Sequence, residues 1–234
     1  MKVLITGAFQ YTEEQWKKLK NMEIEIKYLA DERGSIDFDV DDIEYVICNG
    51  LFLYHNIEKF KNLKYIQVTS AGLDRLPMDY INKNNIQIYN ARGVYSIPIA
   101  EWTILKILET YKKSKVFYKQ QDNHEWKKQR DLTELNEKTA CIIGYGSIGC
   151  EIAKRLKVFN VNINIVDIRK PEENSGKYYS IEQIDDAISI SDIVILALPL
   201  NEKTKYIINK DKLKLMKKNS ILINLSRGKI LNEF

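Results

Sequence analysis

Residues 138–167, KTACIIGYGSIGCEIAKRLKVFNVNINIVD, decide the fold. Ala140, Cys141, Ile142 and Ile143 form a short apolar run of the kind that makes a buried strand. Gly144, Tyr145, Gly146, Ser147, Ile148 and Gly149 follow as G-x-G-x-x-G. Ile148, Ile152, Leu156 and Phe159 then repeat at helical spacing, so the glycines fall where a strand turns into a helix. A second apolar run over residues 163–166 ends in Asp167, eighteen positions after Gly149.

Each part has a physical task. Gly144 permits a tight turn, Gly146 lets the backbone approach a pyrophosphate, and Gly149 allows close helix–strand packing. The helix start supplies N–H groups and a positive dipole end for phosphates. Asp167 is placed to accept hydrogen bonds from ribose hydroxyls, which favours NAD. Arg169 and Lys170 leave NADP possible, as partners of a 2′-phosphate, or else are solvated loop residues.

The 234 residues suffice for one large or two small domains. Apolar residues at 44% and charged residues at 29% are ordinary for a globular chain. The net charge of +4 comes from dispersed basic side chains, which argues against a nucleic-acid surface. Cys48, Cys141 and Cys150 show neither a disulfide pattern nor metal-ligand spacing, so no metal is expected and a reducing compartment is. No apolar run has signal or membrane-spanning length, and the expected location is cytoplasmic, without a membrane partner.

Working outward to the N-terminal side, short β candidates lie at residues 3–6, 24–29, 45–48, 65–68 and 86–89, with a helical segment at 13–19. The alternation predicts a parallel sheet flanked by helices, with function at the loops beyond the strand ends. One such loop carries Thr69, Ser70, Ala71, Gly72, Leu73 and Asp74, whose small residues expose N–H groups to an anion or simply make a turn. A helix opens at Ser96, with Ser96 as its cap and Pro98 in its first turn. Ile97, Trp102, Leu105, Ile107, Leu108 and Tyr111 predict that it is buried between layers. Residues 112–130 are basic with aromatic spots, which suits a solvated arm or a subunit contact.

On the C-terminal side, residues 182–192 read as an acidic helix and 193–198 as a fully apolar strand. Pro199, Leu200 and Asn201 end it. Lys212, Lys214, Lys217 and Lys218 are expected on the wet side of a short helix. A last strand at 221–225 runs into Ser226, Arg227 and Gly228. A guanidinium there can hold a carboxylate in two parallel hydrogen bonds, or lie in solvent.

In order along the chain, Ser70-Ala71-Gly72-Leu73-Asp74, Ser96 through Ala100-Glu101, Trp126, Gly144 through Gly149, Pro199-Leu200 with Thr204, and Asn224 through Ser226-Arg227-Gly228 resemble the D-isomer-specific 2-hydroxyacid dehydrogenases. The resemblance implies an α/β chain: a flavodoxin-like substrate domain at 1–97, then a Rossmann-type doubly wound nucleotide domain at 98–234, incomplete at the C-terminus. It implies NAD(H) or NADP(H), a small 2-hydroxy or 2-keto acid and a homodimer. Ala71 and Gly72 would bind the substrate carboxylate, and Arg227 would be the catalytic arginine. Gly144, Gly146, Ser147, Ile148, Gly149, Asp167, Leu198, Pro199 and Thr204 would contact the cofactor. Members that take phosphorylated acids tend to carry basic side chains near Asn49-Gly50-Leu51-Phe52. None occurs in that stretch, which tips the expectation to an unphosphorylated acid.

The family's histidine proton donor and its supporting glutamate would follow the arginine. This sequence has two histidines, His55 and His124, both before the glycine turn, and Glu233 stands too near Arg227 for the glutamate's place. Two explanations follow, an incomplete copy of an active dehydrogenase or a short form that binds dinucleotide as a non-catalytic sensing module. The strand at 221–225 would then be an apolar sheet edge.

Overall fold

Apolar strands separated by polar turns build two separate parallel sheets in the computed structural model, which describes residues 1–172 and 175–233. The chain divides into two units, Met1–Val94 and Tyr95–Phe234, of which Phe234 itself lies outside the described residues.

In the first unit β1 (Lys2–Thr6), β2 (Glu25–Leu29), β3 (Tyr45–Cys48), β4 (Tyr65–Val68) and β5 (Gln87–Tyr89) pair in the order β2-β1-β3-β4-β5. All these pairs are parallel. That is the 2-1-3-4-5 order of flavodoxin-like sheets. Leu4, Val46, Cys48, Ile66 and Val68 are buried along the strands and meet Phe60 and Ile81. Burial pushes the Cys48 thiol up to about 12, so it packs as a small apolar side chain. Helix α1 (Glu13–Lys20) opens with a capping box in which Thr12 and Gln15 satisfy each other's N–H groups. Helix α2 is short (Met78–Lys83).

The second unit runs α3 (Ser96–Tyr111), α4 (Ser114–Asp122), β6 (Thr139–Ile143), α5 (Ser147–Val158), β7 (Asn162–Val166), β8 (Lys177–Tyr179), α6 (Ile184–Ser189), β9 (Ile193–Leu196), α7 (Lys210–Leu215) and β10 (Ile221–Asn224). The sheet order is β10-β9-β6-β7-β8. Counted from β6, this is the 3-2-1-4-5 order of the Rossmann fold, with its switch point between β6 and β9. Ala140, Ile142, Ile163, Ile165, Ile193 and Ile195 fill one side of this sheet under α3 and α5. Cys141, Ile143, Val166, Val194 and Leu196 fill the other with α6. Among the described residues β10 is an edge strand, its Ile221, Leu222 and Ile223 half-buried.

Three expectations change. Ser96 does not cap α3; Tyr95 occupies that position and Ser96 is buried inside the first turn, because the helix begins one residue earlier than the cap pattern suggests. Nor is α3 buried all round. Ala100, Thr103, Ile104 and Ile107 are buried, while Ile97, Trp102 and Leu105 are about half exposed. The basic stretch after it contains α4, and Trp126 beyond that helix is fully exposed. The lysine run is not only solvent-facing: Lys212 pairs with Asp185 at 3.0 Å and Lys217 with Asp192 at 3.0 Å.

Asp192 also falls outside the acidic helix, which ends at Ser189. Its N–H donates to Thr139 O (2.8 Å), its carboxylate accepts from Thr139 N (2.9 Å), and its carbonyl accepts from Ile221 N (2.9 Å). One residue thus aligns the starts of β6, β9 and β10. Burial alone would raise this carboxyl, but the Thr139 N–H and Lys217 outweigh it and hold it below the ordinary range.

Candidate functional site

The glycine corner is fixed by contacts that cross the sheet. Gly144 adopts φ +96°, and its N–H donates to Val166 O at 2.9 Å. A Cβ built there would lie 2.7 Å from the carbonyl of Ala197 and 2.8 Å from Leu198 N. The chain leaving β6 therefore passes against the chain leaving β9, which is the switch point itself. At Gly149 a Cβ would come within 2.3 Å of Gly144 O. Gly146 is different: it has an ordinary extended backbone, and a Cβ there would meet nothing within 4 Å.

Gly146 is also the N-cap of α5, and no side chain caps that end. The N–H groups of the first turn, at Ser147 and Ile148, are therefore available to an anion. Two glycines are explained by protein packing and the third by space left above the helix start. That is the shape a dinucleotide pyrophosphate requires, so the residues present fit the cofactor.

Asp167 follows β7 directly. Its Oδ2 accepts from Tyr145 N at 2.7 Å, inside the glycine corner, and its Oδ1 accepts from Arg169 N at 3.1 Å. Each carboxylate oxygen retains a lone pair for a further donor. Tyr178 Oη donates to the Asp167 carbonyl at 3.1 Å and holds the residue from the β8 side. Arg169 and Lys170 are exposed.

Strand β9 ends at Leu196, two residues earlier than the sequence suggests. Leu198 is buried and Pro199 exposed in the loop beyond it. Thr204 braces that loop: its hydroxyl donates to Pro199 O (2.6 Å) and accepts from Asn201 N (2.8 Å). Arg227 is half-buried past the end of β10, with Nη1 donating to Ser226 O at 3.0 Å. Two residues not assigned a role from sequence hold it there. Asn224 Nδ2 donates to Arg227 O (2.9 Å), and Ser226 Oγ donates to Leu196 O (3.1 Å). Their signal was the polar Asn-x-Ser directly after an apolar strand.

The sites expected at 144–149, 167, 198–199, 204 and 227 thus share the C-terminal edge of one parallel sheet. Ala71 and Gly72 belong to the first unit and lie past the C-terminal end of β4. Ala71 O accepts from Asn90 Nδ2 and Gly72 O from Ser70 Oγ, both at 2.9 Å. Their N–H groups make no hydrogen bond among the described residues. His55 Nε2 lies 2.9 Å from Glu32 O in the first unit, and His124 follows α4. Among the described residues no three His, Cys, Asp or Glu side chains gather to hold a metal. No described helix is long and apolar enough to cross a membrane.

Residues 49–52 carry no basic side chain, but the fold brings one to them: Arg75 Nη1 donates to Asn49 Oδ1 at 3.1 Å.

A family model described as D-isomer specific 2-hydroxyacid dehydrogenase, NAD binding domain, matches residues 104–234. A D-3-phosphoglycerate dehydrogenase of Methanocaldococcus jannaschii is 33% identical over 181 residues, covering 76% of this chain and 34% of that protein. A glyoxylate reductase of Pyrococcus horikoshii is 32% identical over 190 residues, covering 75% of this chain and 56% of that one. The chain thus spans less than two thirds of the length of these two curated relatives. The crystal structure of D-lactate dehydrogenase from Aquifex aeolicus, complexed with NAD and lactic acid, aligns with TM-score 0.86 at 26% identity, covering 98% of this chain and 70% of that one.

Proposed function

The chain belongs to the D-isomer specific 2-hydroxyacid dehydrogenase family, and from that premise we propose that it serves NAD-linked interconversion of a small 2-hydroxy acid and its 2-keto acid. The second unit is the nucleotide domain and the first the substrate domain. The observation that carries this reading is the open space over Gly146, flanked by two glycines that the protein's own backbone demands.

When bound, NAD(H) exchanges a hydride with the carbon that bears the substrate oxygen. The chain's residues do the rest. Amides at the start of α5 hold the pyrophosphate, and Asp167 accepts from the ribose hydroxyls. The loop of Leu198, Pro199 and Thr204 closes the far side of the switch point. Ala71 and Gly72 N–H groups receive the substrate carboxylate. The Arg227 guanidinium stabilises the negative charge that grows on the carbonyl oxygen during reduction.

The cofactor choice is tested by titrating NADH and NADPH while following energy transfer from tryptophan to the nicotinamide. NADH is expected to bind at least about tenfold more tightly, since the Asp167 charge repels a 2′-phosphate. Asp167→Asn, which keeps an acceptor for Tyr145 N–H, is expected to erase most of that preference. A clear preference of the unaltered protein for NADPH would refute the role given to Asp167.

A second reading is favoured by the histidines. His55 is engaged with the Glu32 carbonyl in the first unit, and His124 follows α4. On this reading residues 1–234 bind dinucleotide, and both of their histidines precede the glycine turn instead of following Arg227. We predict negligible oxidation of NADH by this polypeptide with glyoxylate, hydroxypyruvate or pyruvate, because proton transfer contributes about 10²–10⁴-fold to such a step. Rapid loss of NADH absorbance would overturn that prediction.

A further inference from the structure

A second cleft of the nucleotide unit lies at the starts of β6, β9 and β10, on the sheet edge opposite the glycine corner. Its volume is about 380 Å³, and Tyr111, Thr133, Lys138, Asp192, Lys218 and Ser220 are among its lining residues. Helix α7 stops at Leu215, so Lys217 and Lys218 stand in a turn ahead of β10. Ser220 N closes that turn by donating to Lys217 O at 3.0 Å.

The charges in the cleft do not cancel. Asp192 is the single acid of the lining, and it is already engaged. One of its carboxylate oxygens pairs with Lys217 at 3.0 Å, and the other accepts from Thr139 N at 2.9 Å. Lys138, half-buried, and Lys218, exposed, make no ion pair among the described residues. Two ammonium groups are therefore left over.

Tyr111 adds an independent observation. It stands at the last turn of α3 and is only 7% exposed. Its hydroxyl makes no hydrogen bond among the described residues, yet none of their side-chain polar atoms is both fully buried and without a partner. The oxygen therefore keeps contact with solvent, through the cleft that Tyr111 lines. Burial, with Asp192 nearby, pushes the phenol up to about 12, so the group stays a neutral donor. A mostly buried donor without an acceptor is uncommon in a folded protein. Thr133, whose N–H donates to the Tyr111 carbonyl at 3.0 Å, brings a second hydroxyl to the same cleft.

We propose that this cleft is an anion site, separate from the dinucleotide corner, that takes a phosphate group. Lys138 and Lys218 supply the charge, which matches a doubly charged oxyanion, and Tyr111 donates a directed hydrogen bond to it. Asp192 does not oppose the ion, since Lys217 and the Thr139 amide hold its carboxylate. The bound ion ties the end of α3 to the start of β6 and to the turn before β10, and so stabilises the second unit. The site does not depend on the dehydrogenase reading.

Inorganic phosphate is titrated calorimetrically into the full chain, with ionic strength held constant by sodium chloride. Binding is expected, with a melting temperature that climbs as phosphate is added. Lys138→Gln and Tyr111→Phe should each weaken it about tenfold, since a hydrogen bond to a charged group is worth about that factor. Tyr111→Phe is the sharper variant. It leaves net charge unchanged, and the hydroxyl it removes holds nothing in the protein, so melting without phosphate should stay the same. Gly146→Ala, which obstructs the α5 amides, should leave phosphate binding intact. Three results would overturn the site: no binding beyond the chloride control, binding indifferent to Tyr111→Phe, or binding lost in Gly146→Ala, which places the ion at the glycine corner. Glycerol 3-phosphate, titrated alongside, tells the source. Tighter binding than inorganic phosphate assigns the site to a phosphate ester and weaker binding to the free ion, and either order upholds it.

Discussion

Replacing Gly144 by alanine is expected to destabilise the second unit by about 3 kcal/mol or more. Two penalties act together there. The residue sits at φ +96°, a conformation that costs an L side chain of order 1 kcal/mol even in open space. The new methyl would also meet the Ala197 carbonyl at 2.7 Å and Leu198 N at 2.8 Å, and both are backbone atoms that cannot swing aside. Relief requires β6 and β9 to part at their C-terminal ends, where Ala197 N donates to Ile143 O at 2.8 Å. The melting temperature should fall by about 10 °C, and NADH binding should weaken with it. Unchanged melting would mean that the chain leaving β9 does not pass Gly144 as described.

Gly146→Ala is expected to behave in the opposite way. The backbone there is extended, and the methyl would point into space with no protein atom within 4 Å. Stability should change by less than about 1 kcal/mol, the loss being that of a good N-cap residue. NADH affinity should fall about a hundredfold, because the methyl occupies the approach of the pyrophosphate to the α5 amides. The pair of substitutions separates a glycine needed by the fold from a glycine needed by the ligand. A Gly146→Ala protein that binds NADH as well as the parent would remove the cofactor from this corner.

The strand, glycine turn, helix, strand and closing aspartate over residues 138–167 were legible because each signal is local. Apolar run length, turn chemistry and helical period all act over a few residues, and β6, α5 and β7 lie within one or two residues of where those periods put them. The short strand β8 was not legible, since three residues carry too little period. The cap of α3 was misplaced by one residue because Ser96 is buried inside the helix, where its hydroxyl no longer serves as an N-cap. The half exposure of α3 was hidden because a mostly apolar sequence does not state which face it turns to a neighbour.

By itself, then, the sequence determined that a dinucleotide corner exists and which residues form it, together with an arginine placed after a late apolar strand. Only the tertiary structure decided that β9, rather than the nearer β8, lies beside β6, so that Ala197 closes on Gly144 across more than fifty residues of chain. It likewise decided that Glu32 joins the ends of β1 and β3, and that Arg75 stands over Asn49. The reason is the same in each case. A parallel sheet sets its neighbours by crossover connections, and the pairing energy depends on which strands meet, which no short-range period encodes.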